Sequence, residues 1–219
     1  MKYSIWRITD MISISISQFI SVSTKKTDKA KKSEVARIKN SKYSPAIDYW
    51  KPIRDELSKV LKGDHTFDAF DSIVKNTPEQ RNKKANYYKA VRILENFFNH
   101  HSYECLENHN TKTYWHYDAG GLTVRVSPEF NIIIDGQKYL LRVDYRLKKA
   151  NERSTYEPSI LLLNEATKDI RDSDTKVAIL NLQDQKLMTL DDVKNKDIGI
   201  LISAASDFCK FYNQPNSLD

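Results

Sequence analysis

The chain has 219 residues, 40% of them hydrophobic and 29% charged, with twelve Tyr, eight Phe and three Trp against five Gly and six Pro. That composition argues against wholesale disorder and long low-complexity loops and suits one elaborated domain or two small packed ones. The formal net charge of +6 is uneven: residues 1–101 hold 20 Lys+Arg against 11 Asp+Glu, whereas residues 102–219 hold 15 against 18.

A basic half of this kind suits nucleic acid, an acidic lipid surface or an acidic partner, or simply a solvated lysine-rich surface. The two cysteines, Cys105 and Cys209, are far apart and make neither a zinc spacing nor a disulfide framework, which points to a reducing, cytoplasmic compartment. No apolar run reaches the length of about 18–20 residues that a membrane helix needs, so no membrane partner is expected. The N-terminus lacks a compact apolar block and is interrupted by Asp10, so it does not read as a signal peptide.

Along the chain, residues 5–22 carry two periodicities. Ile12, Ile14, Ile16, Ile20 and Val22 share one parity, as in a strand, while Ile5, Ile8, Ile12, Ile16 and Phe19 fall at helical spacing. Both remain open, with helix favoured because Thr9 and Asp10 suit its cap. Residues 24–42 hold eight basic and two acidic side chains and read as a polar helix or a linker. Residues 1–43 therefore form one segment, followed by an α+β domain over 44–219. Ser44-Pro45 starts a helix that continues through DYWKPIRDELSKVLKG, with Pro52 kinking or restarting it. A short helix lies near 67–74. Thr77-Pro78-Glu79-Gln80 has the spacing of a capping box and opens a helix running to about His100, with Tyr87, Val91, Leu94 and Phe98 on its buried face. These helices make up a subdomain over 44–101.

Strand patterns follow. Leu122–Val126 alternates, as do Phe130, Ile132 and Ile134. Asp135-Gly136 is a hairpin turn, and Tyr139, Leu141, Val143 and Tyr145 return on the same face. Residues 158–170 read as a helix, 177–182 as a buried strand, 186–189 as a short return strand and 197–212 as a closing helix. The fold class is thus α+β, a helical N-terminal half packed on a mixed sheet.

From about residue 79 the order helix, three strands, helix, strand (αβββαβ) resembles the core of PD-(D/E)xK nucleases over roughly half the chain, within a sheet-containing core over 79–219. In that family a carboxylate opens the second strand and a carboxylate-x-lysine motif lies on the third. The matching residues are Pro128-Glu129 and Asp144-Tyr145-Arg146. The resemblance implies Glu129 and Asp144 as ligands of Mg²⁺, with Glu95 as a third carboxylate and Arg146 in the lysine place. Such a metal would polarise a phosphate and help generate hydroxide. Arginine holds phosphate but stays protonated and cannot act as a base. The expectation is therefore a nucleic-acid-associated protein on a nuclease-like scaffold, catalytically degenerate. Its partner would be DNA or RNA, with Lys25, Lys26, Lys31, Lys32 and Arg142 as binding residues. The segments DYWKPIRDEL and VSPEFNIIIDGQKYLLRVDYR also resemble parts of a bacterial protein family, which implies no activity. An alternative is a protein-interaction subunit whose aromatic-rich helical half docks a partner.

If Asp135 and Gly136 are the two turn residues, Glu129 opposes Arg142 across the hairpin; if the register slips by two, Glu129 opposes Asp144. In both cases Arg142, Asp144 and Arg146 share one face with Glu129 and the apolar residues occupy the other.

Overall fold

A computed structural model describes residues 11–41, 48–79, 82–106, 112–147 and 156–214. The doubly periodic N-terminal segment is a strand followed by a helix. In β1 (Ile12–Ser15), Ile12 and Ile14 are buried while Ser13 is exposed; α1 (Ile16–Ser23) then buries Ile16, Phe19, Ile20 and Val22. Ser15 makes the switch. Its hydroxyl accepts from the Gln18 amide at 3.3 Å, and Gln18 Oε1 accepts from the Ser15 amide at 2.8 Å, a capping box that stops the strand and starts the helix. A helix across this whole segment is thus corrected for residues 12–15, and Thr9 and Asp10 lie outside the described residues.

The basic stretch is helical rather than a linker: α2 (Asp28–Asn40) is capped by Thr27 and buries Val35 and Ile38. Pro52 restarts the chain, occupying the first turn of α3 (Lys51–Leu61), where its missing N–H costs nothing. Ser44-Pro45 lies outside the described residues. After α4 (Ala69–Asn76), the expected helix start at Thr77-Pro78 is replaced by a helix end. Thr77 donates its hydroxyl to the Ile73 carbonyl at 2.7 Å, and its ψ of 128° is the extended backbone a residue before proline prefers. The long helix α5 (Lys83–His100) begins only after Asn82, whose φ is 59°.

The strands form two sheets. The larger has the order β2 (Tyr103–Leu106), β5 (Phe130–Ile134), β6 (Gln137–Asp144), β7 (Lys176–Asn181) and β8 (Lys186–Thr189), antiparallel except for the parallel β6–β7 pair. The smaller sheet sets β4 (Leu122–Val126) between β1, to which it is parallel, and β3 (Thr113–Tyr117), to which it is antiparallel. The chain is completed by α6 (Glu157–Thr167) before β7 and α7 (Gly199–Tyr212) after β8. Among the described residues five strands, rather than three, therefore separate α5 from α6. Leu122–Val126 leaves the series because its buried Leu122, Val124 and Val126 pack beside β1, while the short β2 supplies the first strand of the larger sheet. With β3 and β4 set aside, the larger sheet follows α5 in the order three strands, helix, strand.

Strand β7 is apolar on both sides, as a strand covered on both faces must be. Ala178 and Leu180 join the core under α3, α4 and α5, whereas Val177 and Ile179 join a second core with β1, β4, α1, α2, α6 and α7. The hairpin turns toward the first of these cores with Phe130, Ile132, Ile134, Leu141 and Val143. None of the described helices is long and apolar enough to cross a membrane.

Candidate functional site

The register of the hairpin places the charged residues. Ile134 pairs with Gln137 across Asp135 (φ 50°) and Gly136 (φ 80°), the left-handed pair a two-residue turn requires. The Glu129 amide donates to the Leu141 carbonyl at 2.8 Å, extending the ladder one residue past β5 and setting Glu129 opposite Arg142.

Glu129 lines a cleft of about 1330 Å³. The cleft is bounded by β1 and the first turn of α1, the end of α2, one stripe of α3, the 127–129 turn and the end of β6. The Glu129 side chain keeps only 11% of its surface; Arg142 Nη1 lies 3.9 Å from its Oε1, and the Tyr145 hydroxyl donates to its Oε2 at 3.3 Å. Burial pushes the carboxyl above its usual range, opposed by the charges of Arg142 and Arg54 and by hydrogen bonds from Tyr145 and the Val143 amide. Burial and the neighbouring Glu129 charge push the Tyr145 phenol well above its usual range in turn. Arg142 also donates to the Ser127 carbonyl at 3.1 Å, and Arg54 pairs with Asp48 at 2.6 Å.

Asp144 is held differently. Arg146 Nε donates to its Oδ1 at 2.8 Å and to Oδ2 at 3.0 Å, and Nη2 contacts Oδ2 as well. This bond raises the Arg146 pKa against the opposing effect of burial.

Of the sequence-derived site residues, the fold brings Glu129, Arg142, Asp144 and Arg146 to the same cleft. Glu95 is not among the cleft residues; it lies on α5, 3.6 Å from Arg92. Lys25, Lys26, Lys31 and Lys32 are also outside it: Lys31 pairs with Asp207 of α7 at 2.6 Å, and the other three are exposed. As donors for Mg²⁺ the two carboxylates fit poorly, since the oxygens of each already accept from or face a protein cation or hydroxyl. Among the described residues, no group of three or more His, Cys, Asp or Glu side chains is placed to hold a metal.

Sequence reasoning missed most of the cleft's cations. Among the described residues, seven basic side chains line it against four carboxylates, and Arg37, Lys39, Arg54, Lys62 and Arg125 were not singled out as ligand-binding. A signal existed for two of them. Arg54, Ser58 and Lys62 recur every four residues, the polar stripe of a helix whose Ile53, Leu57, Val60 and Leu61 are buried. Lys62 and Arg125 are exposed and form no ion pair among the described residues.

Comparison with known proteins finds no matching family model and no matching curated protein.

Proposed function

We propose that this protein binds nucleic acid through the cleft, on a nuclease-like scaffold whose cleavage chemistry is lost. The observation carrying this reading is the state of the two motif carboxylates within a cation-rich recess. Asp144 is spanned by Arg146, and Glu129 is buried between Arg142 and Tyr145. Both are engaged as ion-pair partners, while the surplus of basic side chains leaves the cleft net positive and suited to phosphates. Further support comes from the order of elements around the larger sheet, with Glu129 just ahead of its second strand and Asp144 ending its third. The other expectation, a helical half that docks a protein, loses its main motive. Trp50 lies 5.5 Å from the Tyr87 ring and 5.6 Å from Tyr145, so its aromatic surface is used within the fold.

The test is incubation of labelled single-stranded and duplex DNA and RNA with the protein in Mg²⁺ or Mn²⁺, with binding and cleavage read together. Binding without cleavage is expected. Metal-dependent cleavage abolished by both Glu129→Gln and Asp144→Asn would restore the active-nuclease reading, and absence of binding at low salt would remove nucleic acid altogether.

A further inference from the structure

We infer that the ligand of this cleft is a single strand rather than a duplex, gripped by its phosphates with little preference among bases. This rests on the nucleic-acid reading above. The cleft's volume of about 1330 Å³ exceeds the roughly 300–1,000 Å³ typical of a pocket for one small ligand, so it has room for a short run of a polymer.

The charges come from several elements around the recess. Lys62 at the cap of α3 and Arg125 of β4 are exposed and form no ion pair among the described residues. Arg37 of α2, Arg54 of α3 and Arg142 of β6 pair with Glu34, Asp48 and Glu129 and keep donors for a phosphate. Small hydroxyls, among them Ser13 and Ser17, are exposed in the same wall and can donate to phosphate oxygens. Base readout of a duplex requires a helix or β-ribbon that projects into a major groove about 12 Å wide. The cleft instead presents recessed parts: the first turn of α1, the 127–129 turn and the end of β6. A flexible strand can bend in to reach Arg54 and Arg142, whose side chains are only 34% and 23% exposed, whereas a stiff duplex reaches only the exposed cations such as Lys62 and Arg125.

The lack of base preference follows from how the lining rings are used. Trp50 packs against Tyr87 and Tyr145, and Tyr212 lies between Phe208, at 5.9 Å, and the Lys39 ammonium, at 4.9 Å. Stacking platforms for bases are therefore largely taken, and phosphate contacts carry no sequence information.

The experiment is fluorescence anisotropy with the full chain, using eight-nucleotide oligo(dT), oligo(dC) and oligo(rU) and a 16-base-pair duplex across a salt series. The single strands should bind at least about tenfold tighter than the duplex and within a few-fold of one another. Joint replacement Arg125→Ala and Lys62→Ala, both at exposed positions, should weaken single-strand binding. It should also reduce the slope of log affinity against log salt by about 1.4, or about 0.7 for each lost phosphate contact. Circular dichroism and thermal melting check that this variant is folded. Tighter binding to the duplex would overturn the single-strand inference while keeping the nucleic-acid reading, and no binding of any probe at low salt would overturn both. Unchanged affinity and slope in the folded variant would place the ligand outside the cleft, and more than about tenfold discrimination among the three oligonucleotides would exclude a phosphate-only grip.

Discussion

The Arg146 guanidinium lies across the Asp144 carboxylate, its Nε 2.8 Å from one oxygen and 3.0 Å from the other. Each group therefore masks the other from anything entering the cleft. Asp144→Asn removes the negative charge and leaves Arg146 available for a phosphate. A partly exposed pair of this kind is worth up to about 1 kcal/mol, so oligonucleotide affinity should rise by about two- to fivefold. The gain should be the same with Mg²⁺ or with EDTA. A metal-ligand role for Asp144 requires the opposite, a loss of affinity that appears only in Mg²⁺. Anisotropy titrations in the two buffers distinguish them.

Glu129 should govern how stability changes with pH. Its carboxyl is raised above the ordinary value of 4.5 because burial penalises the charged form more than Arg142, Arg54 and Tyr145 favour it. Its contribution to stability is therefore fully present below that ordinary value and is lost as the pH climbs through the raised one. Glutamine resembles the protonated form and does not titrate. Scanning calorimetry of Glu129→Gln beside the unaltered protein should show a difference in melting temperature that grows in the variant's favour from pH 4 to pH 8. A difference that shrinks over that range would mean the Arg142 pair dominates and the carboxyl is lowered instead.

How much of this was legible in the sequence depends on whether the signal was local. The hairpin was, because Asp135-Gly136 marks the turn and strand alternation puts Glu129, Arg142 and Asp144 on one face; the structure then selects the register that sets Glu129 opposite Arg142. The fold class was too. Thr77-Pro78 misled because its capping pattern serves equally to end α4. Ile12–Ser15 was obscured because its partner β4 is more than a hundred residues away and the following helix shares its hydrophobic residues. The cleft was mostly hidden for the same reason. Arg37, Arg54 and Arg125 line the same cleft only once two helices and the smaller sheet are assembled, and no local spacing connects them.

Gly120 is required for a different reason from Gly136. Its backbone is not in the left-handed region, but a Cβ there would lie 2.5 Å from Cys209 Sγ and 2.9 Å from the Tyr117 ring. Cys209 is buried on α7, so neither side can yield cheaply. Gly120→Ala should cost about 1–3 kcal/mol in urea unfolding. Adding Cys209→Ala should recover part of that loss, giving a double-mutant coupling of about 0.5–3 kcal/mol. Additive costs would show that the clash is relieved elsewhere, through Tyr117.

The lysines of the N-terminal basic stretch should act on encounter rather than on the bound complex. Lys25, Lys26 and Lys32 are exposed and lie away from the cleft, whereas Lys31 joins α2 to α7 through Asp207. Replacing Lys25, Lys26 and Lys32 with alanine removes three charges from a half of the chain that holds a surplus of nine. That should slow association with an oligonucleotide at low salt, because long-range attraction depends on summed charge. The equilibrium salt slope should stay nearly constant, since it counts phosphates neutralised in the complex. Lys31→Ala should lower stability by no more than about 1 kcal/mol, the range of a partly exposed ion pair. Stopped-flow association rates and equilibrium titrations on the same triple variant separate the two effects. A slope reduced by about 0.7 per lysine would instead run the strand over α2, with those side chains in direct contact with its phosphates.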